Sequence, residues 1–147
     1  MEQQYFTLTF FAEQTPAEVF NAVNNVLVWW SEELEGSSEK LNDEFVYRHK
    51  EIHYSKHRLV EVVQDAKVVW LTLDSNLTFV NKKDEWNGTK MIFEISKQDD
   101  KTKLIITHSG LVPAFECYDG CSKGWTYYLQ NSLLPLITTK AGKPDKK

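Results

Sequence analysis

Residues 15–30 have the sequence TPAEVFNAVNNVLVWW, a helix start signal followed by an apolar run that ends in two tryptophans. Thr15 can accept a backbone hydrogen bond at the N-cap, and Pro16 suits the first helical position. Glu18 stands where it completes a capping box with Thr15. Apolar residues then recur at helical spacing, so the stretch predicts a helix that breaks near Asn24-Asn25 and continues to the second tryptophan.

Apolar runs on both sides of this stretch predict strands. One alternating run, 4–11, precedes the helix, and several more follow a polar loop at 31–43. The runs after the loop are 45–49, 59–63, 67–73, 90–95 and 102–108. Short turns separate most of them, which is typical of an antiparallel meander.

A last apolar stripe, formed by Trp125, Leu129, Leu133 and Ile137, predicts a long C-terminal helix. Pro135 lies inside it and lacks a backbone N–H, so we expect a kink or an early end there. The whole order predicts an α+β fold. We expect a curved antiparallel sheet of about six strands to grip the C-terminal helix, with a short helix pair after the first strand.

The composition favours one globular domain and narrows its partners. The chain has 147 residues and a net charge of -4, with acidic and basic side chains interleaved. We expect a single domain over 1–140 and a flexible basic tail over 141–147. Nucleic-acid binding requires a clustered basic face, which this pattern does not predict. The polar N-terminus does not resemble a signal peptide, and no apolar run reaches roughly 18 residues. The sequence therefore predicts a cytoplasmic protein with no membrane span.

Two cysteines, Cys117 and Cys121, are too few to predict a metal site without further ligands at zinc spacing. Four residues apart on one helix, they are also poorly placed for a disulfide, so we expect two thiols. No metal and no cofactor is expected.

The tryptophans supply the first indication of a cavity. Five occur in this chain, and they stand at element ends (Trp29-Trp30, Trp86 and Trp125) or within the apolar run at Trp70. Each ring is large and carries an N–H that needs a partner. Their placement suggests that they frame a space between elements.

Local motifs in matching order resemble a known family. They are Pro16-Ala17-Glu18-Val19-Phe20 with Trp29-Trp30 behind it; Glu85-Trp86-Asn87-Gly88-Thr89 leading to Phe93-Glu94; Thr107-His108-Ser109-Gly110-Leu111; and Gly124-Trp125 with Leu129 and Ser132-Leu133. Together they resemble the helix-grip fold of the birch-pollen-allergen and lipid-transfer superfamily, often called SRPBCC. The branch is the one named for the activator of heat-shock-protein-90 ATPase homologue, and the resemblance spans residues 3 to 140.

The resemblance implies a cavity between the sheet and the C-terminal helix that holds a small hydrophobic or amphipathic molecule. Members of one fold family serve different functions, so two alternatives stay open. One is a protein-interaction module that assists a chaperone or another protein. The other is a cavity-based enzyme of cyclase or hydrolase type. We expect a binding domain without obligatory chemistry.

Ten residues are predicted to bind the ligand because their types suit an apolar pocket with a few polar groups. The alternative for each is an ordinary core position. They are Trp30, Phe45, Tyr47, His49, Trp70, Phe93, His108, Trp125, Tyr128 and Leu129.

The histidines have two interpretations each. His108 could face the pocket as a donor or base, or be tied to a backbone carbonyl at the end of its strand. His49 shares a face with Tyr47 and is a better pocket candidate than His53. His57 lies between two basic residues, which favours a solvated edge.

Catalytic groups are not predicted. Ser109 and Glu94 should point away from the cavity, because adjacent strand residues face opposite sides. Asp74 and Glu61 could enter the cavity in one strand register, but we expect them at the surface. The turn at Trp86 could gate the pocket, contact a partner, or simply pack down to fix the loop.

Overall fold

A curved, seven-stranded antiparallel sheet holds the C-terminal helix in the computed structural model, which describes residues 6–32, 34–49, 53–78, 81, 83–111 and 118–144. The strands are β1 (Phe6–Ala12), β2 (Glu35–Gly36), β3 (Glu44–His49), β4 (His53–Val63), β5 (Lys67–Leu77), β6 (Lys90–Gln98) and β7 (Lys101–Ser109). The helices are α1 (Pro16–Asn24), α2 (Val26–Trp29), α3 (Tyr118–Tyr128) and α4 (Leu134–Thr139).

The sheet has the order β1-β7-β6-β5-β4-β3-β2, so consecutive strands pair except where β1 joins β7. Every pairing is antiparallel. The predicted α+β meander is therefore confirmed. The seventh strand, β2, has two residues and lies in the segment predicted as a polar loop.

Two central strands are longer than their apolar runs. β4 begins at His53 and β5 continues to Leu77, and both extensions carry polar residues. Ser55 and Ser75 are nevertheless buried there. Buried polar side chains do not produce the apolar alternation that predicts a strand. The sequence pattern therefore predicted both strands too short.

The start of α1 is capped as predicted. The Thr15 hydroxyl accepts from the Glu18 backbone N–H at 3.2 Å, and the Glu18 carboxylate accepts from the Thr15 N–H at 3.2 Å. The predicted break is also confirmed, because α1 ends at Asn24 and α2 begins at Val26. This break lets the chain turn so that both tryptophans that follow are buried.

Replacement of Thr15 by alanine should lower the free energy of unfolding by about 1 kcal/mol, since the Glu18 backbone N–H in the first turn of α1 loses its partner. Urea denaturation measures the change. Asn21→Ala, at an exposed position of the same helix, should change it by less than about 0.5 kcal/mol. Equal midpoints for wild type and Thr15→Ala would show that the capping box contributes nothing.

The C-terminal helix does not end at Pro135. α3 passes into a π-helical turn, Leu129–Leu133, and α4 follows and ends where Lys140 adopts a left-handed φ of 66°. We call the continuous segment 118–139 the grip helix. The expectation that the helix could end early at Pro135 is therefore wrong. The hydrogen bonding changes from α-helical to π-helical in the turn before the proline. This change accommodates the backbone N–H that Pro135 lacks.

Ser132, inside the π-helical turn, ties three segments together. Its hydroxyl donates to the Trp29 carbonyl at 2.6 Å and accepts from the Lys143 backbone N–H at 2.7 Å. Lys140 reaches Glu18 of α1 at 2.8 Å. The part of the predicted tail up to Pro144 thus contacts the domain, and residues 145–147 lie outside the described residues.

Candidate functional site

All five tryptophans belong to one aromatic cluster. Trp29, Trp30 and Trp70 stack with centroid separations of 5.8–6.2 Å. Trp30 contacts Trp125 of the grip helix at 4.9 Å, and Trp125 stacks on Trp86 at 5.7 Å with 14° between the planes. The rings therefore connect the short helices, the sheet, the 83–88 turn and the grip helix.

A cavity of about 170 Å³ lies at one end of this cluster. Its walls are aromatic rings from several elements together with small residues of the grip helix. The lining residues are Trp30, Tyr47, His49, His53, Trp86, Gly120, Cys121, Gly124, Trp125 and Tyr128. The hydroxyl oxygens of Tyr47 and Tyr128 lie 3.2 Å apart and join β3 to the grip helix beside the cavity.

His108 organises the wall that Trp125 and Trp86 form. The Trp125 indole N–H donates to His108 Nδ1 at 3.0 Å, and His108 Nε2 lies 2.8 Å from the Thr89 hydroxyl. That hydroxyl donates to the Trp86 carbonyl at 2.6 Å. Because Nδ1 accepts, the ring hydrogen is on Nε2, and the chain runs in one direction from Trp125 to Trp86.

A second polar chain leads from the core to the cavity. Thr72 Oγ1 lies 3.2 Å from His57 Nδ1, and His57 Nε2 lies 2.8 Å from Ser55 Oγ. Ser55 Oγ is also 3.2 Å from His53 Nε2. Of these four residues only His53 lines the cavity, so the chain ends at the cavity wall.

Burial keeps three of these histidines neutral. Together with a smaller contribution from nearby His53, it lowers the pKa of His108 to about 3. Burial likewise lowers the pKa of His53 to about 3, with a contribution from His49. The pKa of His57 is held well below its ordinary value by burial, with His53 and His108 adding to the effect. At neutral pH, His53 therefore adds no charge to the cavity wall, and His57 and His108 add none behind it.

The described part of the site has no acidic or strongly basic side chain in its lining and no group of three metal ligands. No Asp, Glu, Lys or Arg is among the described residues that line the cavity. Within the described ranges, no three His, Cys, Asp or Glu side chains are grouped to hold a metal ion. Nor does any described helix have the length and apolar character needed to cross a membrane.

The structure brings half of the predicted site residues to the cavity. Trp30, Tyr47, His49, Trp125 and Tyr128 line it. The other five are buried behind its wall, in the core between sheet and grip helix: Phe45, Trp70, Phe93, His108 and Leu129. His108 does not face the cavity but positions Trp125, which does. Both of its ring nitrogens are hydrogen-bonded to side chains, so the expected bond to a backbone carbonyl is not made.

Five lining residues were missed: His53, Trp86, Gly120, Cys121 and Gly124. A signal existed for two of them. Cys121 and Gly124 share a helical face with Trp125 and Tyr128, because they lie three or four positions before them. Cys121 is buried, whereas Cys117 lies outside the described residues.

The expectation for His57 is wrong. The side chain is 1% exposed, although Lys56 and Arg58 flank it. β4 is an interior strand of the sheet between β3 and β5, and its alternation places the two basic neighbours on the other face. A polar residue between two cations does not identify an edge strand.

Other expectations about orientation are confirmed. Glu94, Asp74 and Glu61 are exposed, so none of these carboxylates enters the cavity. Trp86 is 3% exposed and packs onto Trp125, which leaves no exposed indole at this turn for a partner. In the same turn Gly88 has a positive φ of 80°, which a glycine adopts without strain.

The fold and the cavity together define a helix-grip domain of the SRPBCC superfamily. The family model of the activator of Hsp90 ATPase homolog 1-like proteins matches residues 14–136, so the chain belongs to that family. No curated protein matches the sequence.

Solved structures from several bacteria share the fold. The Aha1 dimer from Colwellia psychrerythraea aligns with a TM-score of 0.76 at 15% identity, over 95% of this chain and 99% of that chain. Mll3558 from Rhizobium loti aligns with a TM-score of 0.70 at 17% identity, over 92% and 97%. CalU16 from Micromonospora echinospora aligns with a TM-score of 0.61 at 14% identity, over 89% and 73%. At these identities the likeness shows the fold alone.

Proposed function

We propose that this domain binds a small hydrophobic or amphipathic molecule in the cavity between the sheet and the grip helix, without catalysing a reaction. One observation carries the proposal: a cavity of about 170 Å³ with aromatic walls and few polar groups. Ligand sites have this kind of lining, and a cavity of roughly 150 Å³ is large enough to bind benzene. A cytoplasmic location, expected from the sequence, stays part of the proposal.

The two alternatives have less support. A chaperone-associated interaction module rests on family membership, and the burial of Trp86 removes its best contact residue. An enzyme needs a base beside a nucleophile or an acid. His108 and His57 are each bonded through both ring nitrogens to groups that hold the fold together.

Native mass spectrometry of the protein purified from its own host tests the proposal directly. We expect a small molecule to co-purify and to leave when the protein is denatured. A protein that is always empty and also fails to bind a panel of small apolar compounds would contradict it.

Gly124→Leu should block the cavity without disturbing the fold. Gly124 lines the cavity, and a Cβ added there meets no atom within 4 Å. We expect at least a tenfold loss of affinity for the co-purifying molecule. Removal of a helical glycine should also stabilise the fold by about 0.5–1 kcal/mol.

Lys123→Leu is the matched control, because it adds the same side chain one position away on the exposed surface of α3. The control should bind as the wild type does. If Gly124→Leu retains the molecule at unchanged affinity, the ligand does not occupy this cavity.

A further inference from the structure

We infer that the cavity takes an amphipathic molecule apolar end first and leaves the polar end of that molecule in solvent at the cavity mouth. The inference rests on the proposed function and narrows it from hydrophobic or amphipathic molecules to amphipathic ones. It also requires that the polar groups of the ligand all lie at the same end.

The lining residues divide into two sets by their exposure, and the division shows where the cavity meets solvent. The first set, which we call the inner end, is at most 7% exposed: Trp30, Tyr47, Trp86, Cys121 and Trp125. The second set, which we call the mouth, is half-buried or exposed: His49, His53, Gly120, Gly124 and Tyr128. A ligand therefore enters past the mouth and reaches the inner end.

The mouth lies between two strand ends and the start of a helix. His49 ends β3 and His53 begins β4, and the two residues are cross-strand partners. Gly120 lies in the first turn of α3, and Gly124 follows about one turn later. Because glycine has no side chain, α3 adds no side chain over the mouth at either position.

The inner end offers a ligand almost no polar group. The Trp125 indole N–H donates to a histidine behind the wall at 3.0 Å, and the Trp86 indole nitrogen is fully buried. The Tyr47 hydroxyl pairs with that of Tyr128 at 3.2 Å. Most of the remaining surface is ring carbon, and the Cys121 thiol is only a weak hydrogen-bonding group. A polar ligand group placed there would lose its hydration without gaining a partner.

The mouth is the polar part of the lining. It carries the imidazoles of His49 and His53 and the hydroxyl of Tyr128, and these residues are in contact with solvent. A polar or charged ligand group keeps its hydration there, so it needs no compensating charge from the protein. The volume of about 170 Å³ admits one aromatic ring, and a chain attached to that ring therefore leaves through the mouth.

Probes with one ring and a short chain test the orientation by isothermal titration calorimetry. 4-Phenylbutanamide and 4-phenylbutanoate should bind within about threefold of each other, because the charge of the second stays hydrated at the mouth. 4-(4-Hydroxyphenyl)butanamide carries a second polar group at the opposite end. It should bind at least about fivefold more weakly than 4-(4-methylphenyl)butanamide, a control of nearly equal size, because its hydroxyl enters the inner end without a partner.

Gly120→Asp places a negative charge at the mouth and in the first turn of α3, where an acidic residue is favourable. It should weaken the binding of 4-phenylbutanoate at least about threefold and change that of 4-phenylbutanamide less than about twofold. Asn21→Asp is the matched control, because it adds the same charge at an exposed position of α1 that does not line the cavity. It should change neither affinity.

The wild-type protein provides a test that does not depend on any variant folding. Nuclear Overhauser effects should join the ring protons of bound 4-phenylbutanamide to Trp125 and its chain protons to Gly120. The reverse pattern, or a hydroxyl probe that binds as tightly as the methyl probe, would overturn the inference and leave the proposed function intact. If no probe binds and the protein is also empty in native mass spectrometry, it is the proposed function that fails.

Discussion

Trp30→Ala should lower the free energy of unfolding by about 3–5 kcal/mol, because a fully buried indole at the centre of the aromatic cluster is lost. Trp30 is 1% exposed and stacks on Tyr47 at 4.0 Å and on Trp70 at 5.8 Å. It also contacts Trp125 at 4.9 Å, so it joins α2, the sheet and the grip helix. Domains of this size are stabilised by only about 5–15 kcal/mol, so the variant should be close to unfolding.

Urea denaturation followed by fluorescence and by far-UV circular dichroism measures this loss. Tyr127→Ala is the control, since that ring lies on α3 but is 53% exposed and should contribute less than about 1 kcal/mol. A loss below about 1 kcal/mol for Trp30→Ala would mean that the neighbouring rings close over the space, and the cluster would not be rigid.

Acidification from pH 6.5 to 4.5 should destabilise the protein by about 2 kcal/mol through His108 alone. Burial lowers the pKa of His108 to about 3, while the unfolded chain has the ordinary pKa of about 6.5. In this window the unfolded state binds a proton that the folded state excludes, so stability falls as the pH falls. The lowered pKa of buried His57 acts in the same direction.

The pH window from 6.5 to 4.5 shows the effect of the histidines before two ion-paired carboxylates lose their stabilising contribution. The ion pairs with Lys140 and Arg58 lower the pKa values of Glu18 and Glu44 from 4.5, so their contribution to stability is lost as the pH falls below about 4.5, at the lower end of this window. Urea denaturation at several pH values gives the slope of the unfolding free energy.

His108→Gln keeps an acceptor for Trp125 and a donor for Thr89 but cannot titrate. The slope of the unfolding free energy against pH should then decrease by up to about 1.4 kcal/mol per pH unit between pH 6 and 4.5. An identical slope in the variant would show that His108 takes up its proton in the folded state with its ordinary pKa, and Nδ1 could then not accept from Trp125.

Local signals in the sequence accounted for most of the fold. The cap at Thr15, the break after Asn24 and the alternation of Phe45 and Tyr47 depend on neighbouring residues, and each was predicted at the correct place. Local chemistry is enough for such features, because a helix cap or a strand face involves residues a few positions apart.

The candidate site was predicted less completely, since its parts come from distant segments. Trp30, Tyr47 and Trp125 have the large aromatic side chains expected in a pocket, and they line the cavity. His53 and Trp86 belong to a polar strand start and a surface turn, where nothing in the local pattern indicates burial. His57 shows the same difficulty, because its basic neighbours concealed its inward position.

The sequence by itself determined the order of elements, the class of fold and the presence of an aromatic set large enough to surround a space. Only the tertiary structure decided which tryptophans face that space and which histidine nitrogens carry hydrogen. The physical reason is that side-chain periodicity is set within one strand or helix. A cavity wall and a hydrogen-bond chain, by contrast, depend on how several strands, helices and turns pack against one another. Here the 83–88 turn, β4 and the grip helix meet at a site that none of them defines alone.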